Sequence, residues 1–108
     1  MYDKSQLMRG TLEGCILKIL SQNTSYGYEI VTTLLGYGFK DIKEGTIYPL
    51  LVRLEKKGII TSEMRPSPLG PSRKNYSITP DGVDYLNEFK TNWKQISQSV
   101  NQIFDTEV

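Results

Sequence analysis

The sequence predicts a mainly α-helical fold with one small β-hairpin and a long helix at its C-terminal end. Apolar residues recur at helical spacing in three segments that precede Gly58. Two β-branched runs then flank a proline-rich segment, which is typical of a hairpin. A final apolar stripe, with residues three and four apart, follows Pro80 and predicts a long amphipathic helix.

The first helix is predicted from Ser5 to Gln22. Its apolar residues have helical spacing: Leu7, Met8, Leu12, Cys15, Ile16, Ile19 and Leu20. Gly10 and Gly14 each cost a helix about 1 kcal/mol relative to alanine, and they leave room for another backbone to approach. Cys15 lies on the apolar face with no histidine in the chain to activate it, so we expect a structural thiol.

The second helix is predicted to begin after the polar segment at residues 23–25, with Ser25 as its N-cap. Gly36 and Gly38 are expected to end it. We expect Tyr28 and Ile30 to lie in the core.

The third helix has its apolar face at Ile47, Leu50, Leu51 and Leu54 and is predicted to end at Gly58. Proline is tolerated in the first turn of a helix, so Pro49 leaves two starts open. The helix begins near residues 45–46, or it begins at residues 43–44 and bends at Pro49.

The β-hairpin is predicted from runs at residues 59–65 and 74–78, joined by a long basic loop at residues 66–72. Thr79 is then predicted as the N-cap of the last helix, with Pro80 at its first position and Asp81 in its first turn.

The last helix is predicted to run from Pro80 to about Asp105, roughly 39 Å at 1.5 Å per residue. It carries a heptad-like stripe: Leu86, Phe89, Trp93, Ile96, Val100 and Ile103. A small body cannot cover the far end of such a helix, so we expect the stripe to pack against a second subunit. The alternative is a helix folded back onto its own core.

The composition argues against an enzyme. The 108 residues include no histidine and one cysteine, so the commonest general base and a cysteine-rich zinc site are excluded. We expect no cofactor and no metal. No apolar run approaches the roughly 20 residues that span a bilayer, so we expect a cytoplasmic protein without a membrane partner.

The net charge of +1 is unevenly distributed. Residues 1–39 are balanced, residues 40–74 carry a net +4 and residues 75–108 a net −3. The basic part coincides with the third helix and the hairpin, whereas a near-neutral total is unusual for a nucleic-acid binder.

The element order predicts a winged helix-turn-helix over residues 1–79 and a dimerisation helix over residues 80–108, in one compact unit. In such a fold the third helix enters the major groove of double-stranded DNA and the hairpin forms a wing beside it. We therefore expect phosphate contacts from four basic side chains: Lys43, Arg65, Arg73 and Lys74. Solvated charges with no DNA role are the alternative.

The chain resembles the PadR family of bacterial transcriptional regulators, in its short subfamily with a single C-terminal helix. The resemblance covers essentially the whole chain and rests on five segments and Gly82: LEGCIL at 12–17, YGYEI at 26–30, EGTIYPLL at 44–51, RLEKKGII at 53–60 and GPSRKNYSIT at 70–79. Two positions depart from the family pattern. Glu44 stands where a proline is frequent, and Asn75 where an aromatic residue is usual.

The resemblance implies roles for individual residues. It gives Thr46 and Tyr48 contacts to DNA, and Tyr26 a phosphate contact through its hydroxyl. Packing of Tyr48 against the second helix is the alternative. It also places Trp93 where multidrug-responsive members carry a tryptophan in a pore between subunits.

If Trp93 lines such a pore, it forms with Phe89 and Ile96 a surface that binds an effector. Val100 lies next to this surface in the dimer interface. The alternative is that Trp93 only anchors that interface.

These inferences predict a homodimeric repressor that binds an inverted-repeat operator and is released by a small aromatic or cationic effector. The competing hypothesis is a winged-helix module that binds other proteins and not specific DNA.

Overall fold

The chain folds into four helices and a three-stranded antiparallel sheet, as described for residues 1–106 by a computed structural model. The elements in chain order are α1 Ser5–Gln22, β1 Ser25–Tyr26, α2 Gly27–Gly36, α3 Glu44–Lys56, β2 Ile60–Ser67, β3 Gly70–Ile78 and α4 Pro80–Phe104. The sheet order is β1-β3-β2. The predicted fold class is confirmed, and β1 is an element that the sequence did not indicate.

Strand β1 changes how α2 begins. Ser25 pairs with Tyr76 and Tyr26 with Asn75, so both residues have extended backbones. The prediction of Ser25 as N-cap is therefore wrong, because Tyr26 holds that position. The Tyr26 amide donates to the Glu29 carboxylate at 2.9 Å, which satisfies a donor at the helix start.

Helix α3 begins at Glu44, so Pro49 lies inside it rather than in its first turn. Of the two starts considered, the earlier one is correct. At its other end, Gly58 has a φ of 74°, and Ile59 donates to the Leu54 carbonyl at 3.0 Å. This left-handed glycine and backward hydrogen bond form a Schellman cap, which turns the chain into β2.

The hairpin is longer than predicted and its turn is much shorter. Strand β2 reaches Ser67 and β3 begins at Gly70, so the expected loop at residues 66–72 is wrong. Pro66 lies where the β2–β3 register shifts, and there its missing amide interrupts no regular ladder. The basic residues consequently lie on paired strands rather than in a loop, and Arg65 stands directly opposite Arg73.

The core lies between α1, α2, α3 and the base of the sheet. Its largest fully buried side chains are Ile16, Leu17, Ile30, Leu34, Ile47, Leu51, Leu54 and Ile60. Ile30 is in the core as predicted. Tyr28 is not, because its half-buried ring stacks on Tyr26 beside the wing.

Helix α4 is anchored to the body at its first turn. The Thr79 hydroxyl accepts from the Gly82 amide at 3.0 Å and donates to the Gly58 carbonyl at 2.7 Å. Gly82 is buried against the Ile59 carbonyl, where a Cβ would overlap that oxygen. The predicted N-cap is confirmed.

Two α4 aromatic side chains pack near α1 and the core. Tyr85 is partly buried against the core. The Phe89 ring lies against Gly14, where a Cβ would overlap the ring. Gly14 thus admits a side chain of α4 rather than a backbone, while nothing lies within 4 Å of a Cβ built on Gly10.

The second half of α4 extends away from the body, and the protein measures 57 × 32 × 21 Å along its principal axes. Exposure is 48% at Trp93, 57% at Ile96, 44% at Val100 and 72% at Ile103. Only the beginning of the stripe packs on the body, through Leu86 on the core and Phe89 on Gly14 of α1. The helix is therefore not folded back along its length. Residues 107–108, the end of the predicted dimerisation segment, lie outside the described residues.

In residues 1–106, no helix combines the length and the apolar character that crossing a membrane requires.

Candidate nucleic-acid interface

The two flanks of α3 face different parts of the molecule. Ile47, Leu51 and Leu54 hold the helix to the core. Successive residues of an α-helix are about 100° apart, so Thr46 and Tyr48 lie about 200° apart around the axis. The structure therefore does not bring these two predicted DNA contacts together. Tyr48 lies on the wing side and Thr46 on the side of α1.

Tyr48 lines a cleft between α3, the start of α2 and the wing. Its hydroxyl and ring lie 3.1 Å from the point where Gly27 would carry a Cβ, so a side chain at this position would press on the ring. Tyr48 is still 37% exposed. It thus packs against α2, as the alternative held, and also faces solvent.

The cleft has a volume of about 240 Å³ and is also lined by Arg73, Lys74 and Tyr76. Burial, followed by the nearby Glu55 carboxylate, raises the pKa of Tyr76, so its hydroxyl keeps its proton at neutral pH. Two cationic side chains and two tyrosines therefore border one small space, and this donor set suits an anion such as a phosphate.

Lys74 has an internal partner at this cleft. Its Nζ lies 3.3 Å from Glu55 Oε1, while the other Glu55 oxygen accepts from the Ser62 hydroxyl at 2.6 Å. The hydrogen bond from Ser62 first, and then Lys74, hold the pKa of Glu55 below its ordinary value. The sequence did not identify Glu55 as a partner for a wing residue, because the two positions are 19 residues apart.

Arg73 and Tyr26 take part in an aromatic stack at the wing base. The Arg73 guanidinium carbon lies 5.5 Å from the Tyr28 ring centroid, and the Tyr28 and Tyr26 rings are 5.7 Å apart and nearly parallel. The Tyr26 hydroxyl donates to the Pro66 carbonyl at 2.6 Å. Its only proton is thus used within the molecule, and Tyr26 connects α2 to the wing.

The remaining predicted DNA residues are exposed. Arg65 forms an ion pair with Glu63 on the same strand. Lys43 stands at the N-cap of α3 with its side chain in solvent.

Arg53, late in α3, pairs with Glu13 of α1. Arg53 Nε lies 3.7 Å from the Glu13 carboxylate, whose side chain is only 7% exposed. The sequence could not show this pair, because it joins α1 to α3 across 40 residues. The pair links α3 to α1 on the flank away from the wing.

A second cleft lies between α1 and α4, with a volume of about 450 Å³. Phe89 and Trp93 line it, with their rings parallel and their centroids 6.4 Å apart. Cys15 also lines it, and burial raises the pKa of this thiol. Ile96 and Val100 lie farther along α4 and do not line this cleft.

A helix-turn-helix formed by α2 and α3, with a basic wing beside α3, defines the class of DNA-binding regulators. The chain belongs to the PadR-like family of transcriptional regulators. The model of this family, described as "Transcriptional regulator PadR-like family", matches residues 16–88. The predicted family resemblance is confirmed.

Individual relatives agree with this assignment. A PadR-like transcriptional regulator from Bacillus cereus strain ATCC 14579 is 48% identical, with 95% of this chain and 100% of that chain covered and a TM-score of 0.85. A Streptococcus transcriptional regulator is 46% identical, with 94% and 99% covered and a TM-score of 0.84. Transcriptional regulator Rv3488 of Mycobacterium tuberculosis is 30% identical over 95 residues, which are 88% of this chain and 87% of the relative. The protein is thus a transcriptional regulator and not an enzyme.

Proposed function

We propose that the protein is a repressor that binds an inverted-repeat operator as a homodimer and is released by a small aromatic or cationic effector. The observation that carries the DNA contact is the cleft in which Tyr48 of α3 meets Arg73 and Lys74 of the wing.

The wing cleft supports a phosphate contact through charge and through rigidity. Arg73 lies over the Tyr28 ring and Lys74 pairs with Glu55, so both cations have internal contacts that favour their observed positions. Ordering side chains before binding lowers the entropy lost on association. Lys74 must exchange Glu55 for a phosphate, which makes its contribution smaller than that of a free cation.

The dimer is supported by the stripe on α4. Trp93, Ile96, Val100 and Ile103 are each at least 44% exposed on a helix that leaves the body. An apolar row of this kind, spaced three and four apart, is typical of a helix that pairs with another helix. Pairing would present two α3 helices to two half-sites about 34–36 Å apart, or to a multiple of that spacing.

DNA binding is tested by fluorescence anisotropy with labelled promoter DNA between 50 and 300 mM salt. We expect a steep loss of affinity with salt, and in the Arg73→Gln, Lys74→Gln double variant a slope shallower by up to about 3.6, because the homodimer would lose four phosphate contacts at about 0.9 each. Lys94→Gln, which removes an α4 charge, is the control and should leave the slope unchanged. A wild-type protein that shows no salt-dependent binding would contradict the proposal and favour the protein-binding module.

The effector is supported by the α1–α4 cleft, where the Phe89 and Trp93 rings offer flat apolar surface beside the base of the dimer helix. A planar ligand there would displace Phe89 from Gly14 and move α4, and with it the spacing of the two α3 helices. Such a role would place the chain with the multidrug-responsive members of the short subfamily.

Trp93 is the only tryptophan, so its fluorescence reports on this cleft directly. We expect quenching by planar aromatic cations and a parallel loss of DNA affinity. Quenching that is absent for every such compound would leave Trp93 as an anchor of the dimer interface.

A further inference from the structure

We propose that Arg9 of α1 and Lys40 of the α2–α3 link bind the DNA backbone on the flank of α3 opposite the wing. This inference rests on the proposed DNA-binding function and adds a second phosphate-binding surface to it. The sequence did not indicate it, because Arg9 belongs to a segment whose charges sum to zero.

The surface is a cleft between the first half of α1 and the first turns of α3, with a volume of about 440 Å³. Arg9, Lys40 and Thr46 line it together. All three are exposed, so they are accessible to a ligand as large as DNA. Thr46 belongs to the flank of α3 that Tyr48 does not share, and the cleft is therefore the counterpart of the wing cleft.

The charges in the cleft leave two cations without a partner. Lys4 Nζ lies 3.8 Å from the Asp41 carboxylate. Asp3 accepts from the amide of Ser5 at 3.0 Å and from its hydroxyl at 2.7 Å. Both acidic residues that line the cleft thus have partners, whereas Arg9 and Lys40 form no ion pair within residues 1–106.

The dimensions of DNA explain why this flank needs cations. The major groove is about 12 Å wide and an α-helix with its side chains is about 10–12 Å across, so a helix seated in the groove has a phosphate strand on each side. Arg73 and Lys74 would contact the phosphates of the DNA strand on the wing side. Arg9 and Lys40 border the opposite flank of the same helix, where they meet the other strand.

Asp41 limits the strength of this surface. Its φ of 62° places it in the left-handed region, which aspartate and asparagine tolerate better than most residues. Its carboxylate pairs with Lys4 and repels phosphates. Asp41→Asn preserves the backbone preference, removes the negative charge and releases Lys4.

The experiment measures affinity for promoter DNA against salt, in the full-length chain, for Arg9→Gln, Lys40→Gln and Asp41→Asn. Arg9→Gln and Lys40→Gln should each weaken binding about fivefold to tenfold per subunit at 0.1 M salt, or about 25-fold to 100-fold for the homodimer, and lower the salt slope by about 1.8. Asp41→Asn should strengthen binding at least about twofold and steepen the slope. Lys94→Gln and Asp84→Asn on α4 are matched controls that should change neither quantity, and urea unfolding confirms that each variant is folded.

The outcomes separate this inference from the proposed function. If the wild-type protein binds DNA and the Arg73→Gln, Lys74→Gln double variant lowers the slope while Arg9→Gln and Lys40→Gln do not, the second surface is refuted and the proposed function stands. If the wild-type protein shows no salt-dependent binding, both are refuted. A fall in affinity for Arg9→Gln with no gain for Asp41→Asn also contradicts the inference, because a phosphate surface must respond to both signs of charge.

Discussion

Gly14 is the position at which a single methyl group tests the packing of α4 on α1. A Cβ on Gly14 would overlap the Phe89 ring, so Gly14→Ala requires the ring to move and to leave its parallel arrangement with Trp93. Overpacking of this kind costs about 1–3 kcal/mol, while replacing a helical glycine by alanine gains about 1 kcal/mol. We therefore expect a net loss of about 1 kcal/mol in the free energy of unfolding.

The effect of Gly14→Ala on the free energy of unfolding should change sign when the Phe89 ring is removed. In a Phe89→Ala background, Gly14→Ala keeps only its gain in helix propensity and should stabilise the chain by about 1 kcal/mol. The coupling between the two substitutions is thus about 2 kcal/mol, within the range measured for residues in contact. Gly10→Ala is the control, because nothing lies within 4 Å of its added Cβ. It should stabilise both backgrounds equally.

The assay is urea unfolding at one fixed protein concentration, followed by far-ultraviolet circular dichroism and by Trp93 fluorescence. The fluorescence of the folded Gly14→Ala variant should also shift, because Phe89 moves away from Trp93. Equal stabilisation by Gly14→Ala and Gly10→Ala with Phe89 present would refute the close packing of α4 on α1.

Three further predictions follow from single contacts. Tyr26→Phe removes the hydrogen bond to the Pro66 carbonyl and should lower the free energy of unfolding by about 1 kcal/mol in urea titrations; no change would mean that the wing is fixed by other contacts. Glu55→Gln releases Lys74 and should raise DNA affinity and steepen its salt dependence in the anisotropy assay, and an unchanged slope would contradict the exchange of Glu55 for phosphate. Burial raises the pKa of Cys15, so its alkylation by iodoacetamide should be slow at pH 8 and accelerate at a higher pH than for a free thiol, in contrast to the urea-unfolded chain.

The helices were predictable because their signals are local. Apolar spacing gives α1 its bounds of Ser5–Gln22, and the Thr79–Pro80 pair gives the start of α4. Strand β1 gives no such signal, because its two residues are extended only through pairing with β3 about 50 residues later. The prolines of the hairpin indicated a loop, yet Pro66 lies at a register shift that needs no amide.

The sequence predicted which residues form the candidate site but not how their side chains are arranged in space. Charge and position identified Arg73 and Lys74, and the structure places both beside Tyr48. Their internal partners were not predictable, since Glu55 and Tyr28 come close to them only through the tertiary fold. The same holds for Glu13 and Arg53, which are neighbours because α1 packs on α3.

The opposed arginines of the hairpin have a consequence for its local stability. Arg65 and Arg73 stand directly across from each other on β2 and β3, and like charges so placed destabilise a strand pair by a few tenths of a kcal/mol to about 1 kcal/mol. The Glu63 carboxylate, which pairs with Arg65, offsets part of this repulsion. An anion close to both guanidinium groups removes that repulsion. Amide hydrogen exchange in the outer hairpin should therefore slow when DNA, or sulfate at high concentration, is present. The wing would then be more ordered when it is bound to DNA than when it is free.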